Sequence, residues 1–420
     1  MLSIAEAQAK VLEQARPLPP LTVALDAAAV DLVLAEDVAS DLDMPPYNKA
    51  LMDGFAVQAS DLADGQAVLP IVEEIMAGQT PKKTLARGQA ARIMTGAPIP
   101  AGADAVVIVE RSQNLDGQRV RLEDRTKPGQ NILPRAWEMR KGETILKAGT
   151  ILRPQEFGLL ASVGRTRALV YPTPTVATLS TGDEVVEPSL APGPGQIRNS
   201  NGPMLLAQVA RAGGKPQFLG TARDHLDHLR PLVSEGLKAD ILVLSGGVSA
   251  GQRDLVPEVL TELGVQAHFH KVAMKPGKPV FFGVLNRGKP EAPARTALAS
   301  ASGSPPPPTL VFGLPGNPVS SLICFELFVR PAMRRLQGHA DPGPILVQAI
   351  LVEDFAYRSD RPTYHPAQLT CAKEGWRVRP VPWFGSADLR GLAAANAFVI
   401  FPAGDHRHLV GQTYPVLKVE

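Results

Sequence analysis

Four apolar segments between about residues 169 and 340 constrain the fold of this chain most strongly. They read PTVATLS, DILVLS, PVFFGVL and TLVFGL, and they alternate with segments in which apolar residues recur at the helical period of 3.6. Such alternation is typical of a sheet covered by helices on both faces. We therefore predict a mainly parallel, doubly wound α/β sheet in this part of the chain.

Two helices of this region can be placed by their end signals. One is predicted to begin within residues 199–203, where Asn201 can cap it, and to end at Gly213 and Gly214. The other begins at Asn317 and Pro318 and continues through VSSLICFELFVRPAMRRL. We expect Pro331 to kink it, because proline has no backbone N–H to donate within a helix.

The remaining pattern predicts three further domains, as expected for 420 residues. Residues 1–50, which start with an amphipathic helix, and residues 140–168 form an extended linking domain. Residues 51–139 contain short β-type runs divided by glycine and proline, which predicts a β-rich lobe. Residues 169–340 form the α/β domain, and repeated short strands in residues 341–420 predict a small C-terminal β-barrel or sandwich, of which we favour the barrel. An Ala/Ser/Pro-rich stretch, residues 286–308, is predicted to be a disordered surface loop.

Composition excludes several classes of function. The 43 basic and 41 acidic residues give a net charge of only +2, so no bulk field favours nucleic acid. The two cysteines, Cys324 and Cys371, have neither disulfide-framework nor zinc-ligand spacing, which fits a reducing cytosol. The N-terminus lacks the pattern of a secretory signal, and no apolar run approaches the ~20 residues that span a bilayer. We expect a cytoplasmic protein whose anion sites are built locally.

The segments SGGVSAGQRD and AMKPGK carry the strongest chemical signal. Ligands of doubly wound sheets bind beyond the carboxyl ends of the strands, so residues that follow strands are the candidates. Glycine turns free backbone N–H groups for oxyanions, lysines add point charges, and carboxylates hold Mg²⁺. We therefore expect a poly-anionic ligand beside a divalent metal. The candidate residues are Asp183, Glu184, Asp224, Ser245, Gly246, Gly247, Ser249, Asp254, Lys275 and Lys278.

Structural alternatives exist for each element of this constellation. Any single aspartate could be a turn or N-cap residue, and the KPGKP segment could be a solvated loop. The segment Pro315, Gly316, Asn317, Pro318 could be a simple turn before a helix. It also directs a helix N-terminus, with Ser320 in the first turn, at the predicted site, which favours anion binding. The combination of segments favours the functional interpretation.

The ordered motifs of the chain resemble one family along nearly the whole length. The motifs are NKALMDGFAV, RIMTGAPIP, LSTGDE, GQIRNSNGPML, SGGVSAGQRD, KPGKP, GLPGNPVSS, RPTYHPAQL and GSADLRGLAAANAF. The chain is similar in them to the molybdenum insertase family, the molybdopterin molybdenumtransferases, to which the C-terminal domain of gephyrin also belongs. The resemblance implies a homodimer of four-domain subunits that converts adenylylated molybdopterin and molybdate to molybdenum cofactor and AMP with Mg²⁺.

The resemblance also implies roles for individual residues. Asp224 and Asp254 match positions that hold Mg²⁺ and, with Lys275 and Lys278, are the expected catalytic residues. The positions that match the surroundings of molybdate are Lys275, Lys278, Ser320, Arg361 and Ser386. Asp53 and Thr95 match positions on the facing lobe, which would line the same cleft from the partner subunit. Further partners implied are the molybdopterin adenylyltransferase and recipient molybdoenzymes.

One motif departs from the family pattern. Where the family reads Asn-Ile-Arg-x-x-Gly-Glu-Asp, residues 131–138 read NILPRAWE, so that Leu133 replaces an arginine and Glu138 replaces an aspartate. Arg135 could reach the same ligand from two residues on, or it could lie in solvent.

Two other functions remain as alternatives. One is an enzyme that adenylylates molybdopterin, and the other is a non-catalytic scaffold like gephyrin. The sequence does not distinguish molybdate from tungstate as the substrate.

Overall fold

The computed structural model describes residues 1–247, 255–287 and 307–419. Most of the predicted loop at 286–308 lies outside these residues, as do the candidates Ser249 and Asp254. The chain divides into two compact units. The first comprises Met1–Ala35, Gly149–Arg153 and Arg167–Glu420, and the second comprises Glu36–Ala148 and Pro154–Thr166. The boundaries of the four predicted domains remain predictions.

The largest sheet of the first unit confirms the predicted doubly wound fold. Its strand order is β2-β1-β3-β6-β5-β4. The first four of these strands pair in parallel, and β5 and β4 complete the sheet as antiparallel strands. In chain order the strands are β1 (Thr175–Thr181), β2 (Lys215–Ala222), β3 (Ile241–Ser245), β4 (Gln266–Lys271), β5 (Pro279–Leu285) and β6 (Thr309–Leu314).

Helices cover both faces of this sheet because successive strand residues point to opposite sides. On β3, Ile241 and Val243 join a core on one face, and Leu242 and Leu244 join a separate core on the other. The first core also receives Ala7 and Val11 of an N-terminal helix (Ile4–Gln14), which a Ser3–Glu6 capping box begins. The helices that follow the strands are α1 (Asn201–Arg211), α2 (Leu226–Gly236), α3 (Val256–Glu262), α4 (Pro318–Cys324) and α5 (Arg330–Leu336).

The start of α1 differs from the prediction that Asn201 caps it, which was wrong. Asn199 satisfies the first turn instead, since its Oδ1 accepts a hydrogen bond from the Gly202 N–H at 2.8 Å. Asn201 is the first helical residue. Its side-chain amide is therefore available to link other parts of the fold.

The predicted disruption at Pro331 takes the form of a π-helical turn, Phe325–Val329, between α4 and α5. Pro331 cannot donate to the carbonyl of Leu327, four residues earlier. The side chain of Gln8 donates to that carbonyl at 3.0 Å instead. The N-terminal helix thus supplies the hydrogen bond that proline removes.

The π turn places the carboxylate of Glu326 in the protein interior. Its side chain is 2% exposed. Oε1 accepts from Gln208 at 2.9 Å and from Arg211 at 3.0 Å, and Oε2 accepts from Arg330 at 2.9 Å. These bonds join α1 to the π turn and α5, and they compensate the cost of burying the charge.

The C-terminal part of the first unit is a closed barrel, as the sequence predicted. Its strands, in order around the barrel, are Leu346–Leu351, Gly375–Pro380, Thr363–Ala372, Ala397–Phe401 and Thr413–Lys418. A two-stranded ribbon (Phe355–Ser359 with Gly404–His408) and a short helix (Leu389–Ala393) accompany it. The unit also contains a three-stranded sheet of Leu21–Ala24, Arg167–Tyr171 and Val33–Leu34 and a two-stranded ladder of Val185–Val186 with Ile197–Arg198.

The second unit is β-rich, again as predicted. Its main sheet has the order Ala105–Ile108, Gly54–Val57, Ala90–Ile93, Ala67–Ile75, Arg119–Leu122 and Ser112–Asn114. Two small ladders pair Lys49–Ala50 with Ile132–Leu133 and Val38–Ala39 with Thr144–Leu146, and one helix spans Pro154–Ser162. Across the described part of both units, no helix is long and apolar enough to cross a membrane.

Removal of the Glu326 carboxylate should destabilise the first unit. Glu326→Ala leaves Arg330, whose side chain is 16% exposed, without its charge partner, so we expect a loss of about 3 kcal/mol in the free energy of unfolding. Urea denaturation measures this loss in the free energy of unfolding. The control is Glu353→Ala, because Glu353 pairs with Arg379 where both side chains are at least half exposed, and it should cost less than ~1 kcal/mol. Equal midpoints for the two variants would contradict a stabilising role of the buried network.

Candidate active site

A cavity of about 430 Å³ lies at the carboxyl ends of the parallel strands. We call it the glycine-lined cavity. This is the edge of a doubly wound sheet where ligands bind. Segments that follow β1, β2, β3 and β6 contribute to its wall, together with the start of α1. The lining residues include Ser180, Thr181, Gly182, Glu184, Asn199, Ser200, Asn201, Asp224, Ser245, Gly246, Gly247, Pro279, Pro315, Gly316 and Asn317.

Two glycines after β3 form part of this wall because the backbone admits no side chain there. Gly246 and Gly247 have φ angles of 96° and 62°, in the left-handed region. A Cβ on Gly246 would lie 2.7 Å from the carbonyl oxygen of Thr181, and a Cβ on Gly247 would lie 2.8 Å from a methyl of Val256. The turn therefore brings its backbone against the cavity.

Asn201 ties this turn to the turn after β6. Its Nδ2 donates to Ser245 Oγ and to the carbonyl of Gly316, both at 2.7 Å. The Gly316 carbonyl can only accept a hydrogen bond, so the nitrogen of the Asn201 side-chain amide must face it and the oxygen Oδ1 must point away. The Oδ1 of Asn201 and the Oγ1 of Thr181 are buried and, within the described residues, have no hydrogen-bond partner. Both can accept a hydrogen bond from an N–H or O–H group.

Carboxylates lie on the side of the cavity that follows β1 and β2. Glu184 and Asp224 line it, and Asp183 accepts a hydrogen bond from the Asp224 N–H at 3.2 Å. Within the described residues, no three His, Cys, Asp or Glu side chains form a group that could hold a metal ion. Asp254, the fourth predicted carboxylate, lies outside the described residues.

A second cavity, of about 530 Å³, adjoins the first. We call it the lysine-lined cavity. The two share Pro279, Pro315 and Asn317, so ligands in them would be neighbours. All five residues that the resemblance placed around molybdate line it. The lining residues are Met274, Lys275, Pro276, Gly277, Lys278, Pro279, Pro315, Asn317, Ser320, Tyr357, Arg361, Trp383, Gly385 and Ser386.

The lysine loop is attached to the barrel and to α4. The Lys275 N–H donates to the carbonyl of Pro362 at 3.0 Å, and the Tyr364 N–H donates to the carbonyl of Lys275 at 2.8 Å. Gly277 has a φ of 106°, and a Cβ there would lie 2.7 Å from the Cys324 sulfur. Burial raises the pKa of the Cys324 thiol, which is a packing group of α4. The lysine loop is therefore held by the barrel on one side and by α4 on the other.

The turn before α4 is attached to the barrel in the same way. Asn317 Nδ2 donates to Ser386 Oγ at 2.9 Å, and the Val319 N–H donates to the Ser386 carbonyl at 3.0 Å. Pro318 starts the helix, and Ser320 follows in its first turn. These bonds bring Ser320, from the predicted α/β domain, and Ser386, from the predicted C-terminal domain, to the same cavity.

Cations dominate the lysine-lined cavity. Lys275, Lys278 and Arg361 line it. Asp360 lies beside them and accepts from Arg361 Nε at 3.0 Å. This hydrogen bond, with a smaller effect from the charge of Lys275, lowers the pKa of Asp360. Three cations and one carboxylate leave a net positive site that suits a small dianion.

Asp53 and Thr95 belong to the second unit and form a close pair. Asp53 Oδ1 accepts from the Thr95 hydroxyl at 2.6 Å and from the Thr95 N–H at 2.7 Å. These bonds lower the pKa of Asp53, because they favour the charged form. Thr95, which the resemblance placed in the same site, thus orients the Asp53 carboxylate.

Arg135 is largely exposed, with 65% of its side chain accessible, as the solvent alternative expected, and it also pairs with a carboxylate. Its guanidinium pairs with Asp43, with Nε at 2.8 Å and a terminal nitrogen at 2.6 Å from Oδ2. A hydrogen bond from the Lys141 N–H and the bond from Arg135 lower the pKa of Asp43. Glu138 pairs with Lys49 at 3.4 Å. Arg135 and Glu138, the two charged residues of the motif that departs from the family pattern, therefore both have partners within the second unit.

The lining residues that sequence reasoning did not select as candidates include Asn201, Tyr357 and Trp383. Asn201 was taken for a cap, although it lies in the motif GQIRNSNGPML. Tyr357 and Trp383 lie in the C-terminal region, where no pattern of spacing connects them to the lysines. Their placement follows from the contacts between the barrel and the lysine loop.

A doubly wound sheet with adjoining glycine-lined and cationic cavities at its strand ends is typical of α/β proteins with sites for anionic ligands. Three family models match the chain: the MoeA N-terminal region (domain I and II) at residues 2–164, the probable molybdopterin binding domain at 177–335, and the MoeA C-terminal region (domain IV) at 348–419.

Full-length relatives agree with these matches. The chain is 32% identical over 424 residues to a molybdopterin molybdenumtransferase of Staphylococcus aureus (strain Mu50), covering 100% of this chain and 96% of the relative. It is 35% identical over 394 residues to the molybdopterin molybdenumtransferase of Bacillus subtilis (strain 168), covering 92% and 87%. A crystal structure of a molybdopterin biosynthesis MoeA protein from Pyrococcus horikosii superposes with a TM-score of 0.79 at 29% identity, covering 100% and 99%. The chain belongs to the molybdopterin molybdenumtransferase family of transferases.

Thr95→Val should raise the pKa of Asp53 toward its ordinary value, because it removes the hydroxyl that donates to the carboxylate. NMR titration of the carboxyl carbon measures this. A lowered pKa stabilises the folded state above the unfolded-state pKa, and that stability is lost as the pH falls through the folded-state pKa. The destabilisation by Thr95→Val should therefore appear at neutral pH and fade in acid. The control is Thr80→Val, at an exposed threonine. An unchanged titration of Asp53 would show that the hydroxyl does not stabilise the charge.

Proposed function

We propose that this chain converts adenylylated molybdopterin and molybdate to molybdenum cofactor and AMP in a Mg²⁺-dependent reaction. The observation that carries the proposal is the pair of adjoining cavities, which share Pro279, Pro315 and Asn317. One has the features of a phosphate site and the other those of a small-oxyanion site. Two anionic substrates that react with each other need such neighbouring sites.

The glycine-lined cavity would hold the phosphate-bearing pterin. The backbone of Gly246 and Gly247 approaches the ligand without side chains, and the N-terminus of α1 faces the cavity at Ser200 and Asn201. Helix N-termini and glycine turns stabilise phosphate oxygens through N–H groups. The remaining proposed contacts are with Asp183, Glu184, Ser245, Ser249, Pro315, Gly316, Asn317 and Pro318.

The lysine-lined cavity would hold molybdate. Lys275, Lys278 and Arg361 supply positive charge, and the hydroxyls of Ser320 and Ser386 supply donors. A tetrahedral dianion presents four oxygens, which such a set of donors can satisfy from several directions. Lys275 and Lys278 would also stabilise the charge that moves as molybdate approaches the pterin. Tungstate has the same shape and charge, so the geometry admits both.

The carboxylates of the glycine-lined cavity fit Mg²⁺. This ion takes oxygen ligands and is commonly held by one or two carboxylates together with substrate phosphates and water. Asp224 lines the cavity, and we propose that Asp224 and Asp254 hold the ion. Bound there, Mg²⁺ would polarise the phosphoanhydride that is cleaved. Glu184, beside Asp224, would orient water or substrate hydroxyls.

Two other functions make different predictions for the same assay. A molybdopterin adenylyltransferase, which would share the molybdopterin-binding type of domain, consumes ATP. A scaffold of the gephyrin kind turns over nothing. The cationic cavity beside the glycine-lined cavity favours the insertase, because neither alternative requires a site for a second, small dianion.

Turnover of adenylylated molybdopterin tests the proposal directly. Purified protein is incubated with this substrate, molybdate and Mg²⁺, and released AMP is measured together with reconstitution of an apo-molybdoenzyme. We expect AMP release that requires Mg²⁺ and is lost with a chelator. No AMP release from the adenylylated substrate would contradict the proposal, whether or not a parallel incubation with molybdopterin and ATP shows ATP consumption.

Lys278→Ala should weaken the use of molybdate more than the binding of the pterin. A charge-assisted contact is worth about 1.5–3 kcal/mol, so we expect the KM for molybdate to rise roughly ten- to hundredfold. The matched control is Lys271→Ala, at an exposed lysine that does not line the cavity. An equal loss of affinity for both substrates would place Lys278 at the phosphate instead.

We further propose a cytoplasmic homodimer in which Asp53 and Thr95 of one subunit complete the cleft of the other. Support comes from the family resemblance and from the oriented carboxylate of Asp53. The adenylyltransferase that supplies the substrate and the molybdoenzymes that receive the product are the proposed partners.

Mixed dimers test this arrangement. Combining an Asp53→Ala subunit with a Lys278→Ala subunit gives dimers in which one cleft carries both substitutions and the other carries none. We expect part of the activity to return on mixing, although each variant alone is impaired. Activity that stays at the level of the separate variants, while light scattering shows that mixed dimers form, would contradict a shared cleft.

A further inference from the structure

The side chain of Tyr357 lies directly against a cation of the lysine-lined cavity. The ammonium of Lys275 is 5.1 Å from the centre of the Tyr357 ring. A cation over an aromatic face at this distance is attracted by the electron density of the ring. Both side chains line the cavity. The ring therefore acts on a charge that would contact the anionic substrate.

The Tyr357 ring is held by a stack of aromatic side chains that runs from the two-stranded ribbon to the barrel. It stacks on Phe355, with ring centres 6.0 Å apart, and Phe355 stacks on Phe401 at 5.0 Å. Phe401 stacks in turn on His408 at 4.3 Å. The edge of His365 contacts Tyr357 at 6.0 Å. Because Phe401 is fully buried, the stack connects Tyr357 to the barrel core and limits the positions of its ring.

Lys275 has a fixed backbone and a flexible side chain. Its N–H and carbonyl are bonded to the backbone of Pro362 and Tyr364. The four-carbon side chain still has several rotamers, so some contact must select the one that directs the ammonium into the cavity. The charges around it are Lys278 and Arg361, which repel it, and Asp360, which attracts it weakly and is paired with Arg361. The ring of Tyr357 offers an attraction that opposes this repulsion.

We propose that Tyr357 is a positioning residue for the oxyanion substrate, because its ring holds the ammonium of Lys275 inside the lysine-lined cavity. This inference rests on the proposed function, in which Lys275 contacts molybdate. The ring raises affinity by limiting the rotamers of Lys275 before the anion binds, so that less conformational entropy is lost on binding. The phenolic hydroxyl is not needed for this role.

A double-mutant cycle tests the inference in the intact protein, with initial rates of AMP release measured against molybdate concentration. Tyr357→Leu should raise the KM for molybdate about three- to thirtyfold and change kcat little, as expected for loss of a cation–π contact. Tyr357→Phe keeps the ring and should remain close to wild type. In a Lys275→Ala background, Tyr357→Leu should have no further effect, because the contact is already absent.

Two controls separate positioning from folding. Trp376→Leu removes a similar contact, in which Lys418 lies 5.5 Å from the Trp376 ring, in the same barrel but away from the cavity. It should leave the KM for molybdate unchanged. Tyr357→Met, which removes the ring with a side chain of similar length, replaces Tyr357→Leu if the latter does not fold.

The outcomes distinguish this inference from the proposed function. If Tyr357→Leu raises KM equally with and without Lys275, or if Tyr357→Phe is as impaired as Tyr357→Leu, positioning through Lys275 is overturned while the proposed function stands. If Lys275→Ala has the same KM for molybdate as wild type, the inference and the proposed contact of Lys275 with molybdate are both overturned, whereas absence of AMP release from the wild-type protein would overturn the proposed function itself. An effect of Trp376→Leu equal to that of Tyr357→Leu would assign the change to the stability of the barrel.

Discussion

The close approach of two turns, one after β3 and one after β6, determines where both cavities lie. A Cβ on Gly316 would be only 3.8 Å from the Cα of Gly246, and the Gly246 N–H donates to the carbonyl of Leu314 at the end of β6. Asn201 holds the two turns together through Ser245 and Gly316. On one side of this junction lies the glycine-lined cavity, where the backbone of Gly246 and Gly247 carries no side chains. On the other side lies the lysine-lined cavity, where Lys275 and Lys278 form part of the cationic wall.

The cationic wall depends on the barrel as much as on the sheet. Lys275 is bonded to the backbone at residues 362 and 364, and Asn317 is bonded to Ser386. Arg361 and Tyr357 come from the barrel region itself. Under the proposed function, the sheet would supply the site of the larger substrate, and the barrel would complete the site of the smaller one.

The sequence predicted the parts that depend on local periodicity and on motifs. The doubly wound sheet was predictable because its strands are buried on both faces, and the lysine-lined cavity because its lysines, serines and arginine lie in motifs. Asn201 was mistaken for a cap because the sequence does not show that Asn199 already fills that role. The π turn before Pro331 depends on a bond from Gln8, and Tyr357 depends on contacts with a loop 82 positions earlier in the sequence (275 to 357). Such long-range pairings leave no signal in the local pattern.

Under the proposed function, the two adjoining cavities bind different anions, with molybdate in the cationic one. A crystal soaked with molybdate, with anomalous diffraction recorded at the molybdenum edge, tests it most directly. We expect one strong peak in the lysine-lined cavity, within contact distance of Lys275, Lys278 and Arg361, that disappears in Lys278→Ala crystals. A peak in the glycine-lined cavity alone, or none in either cavity at saturating molybdate, would contradict it.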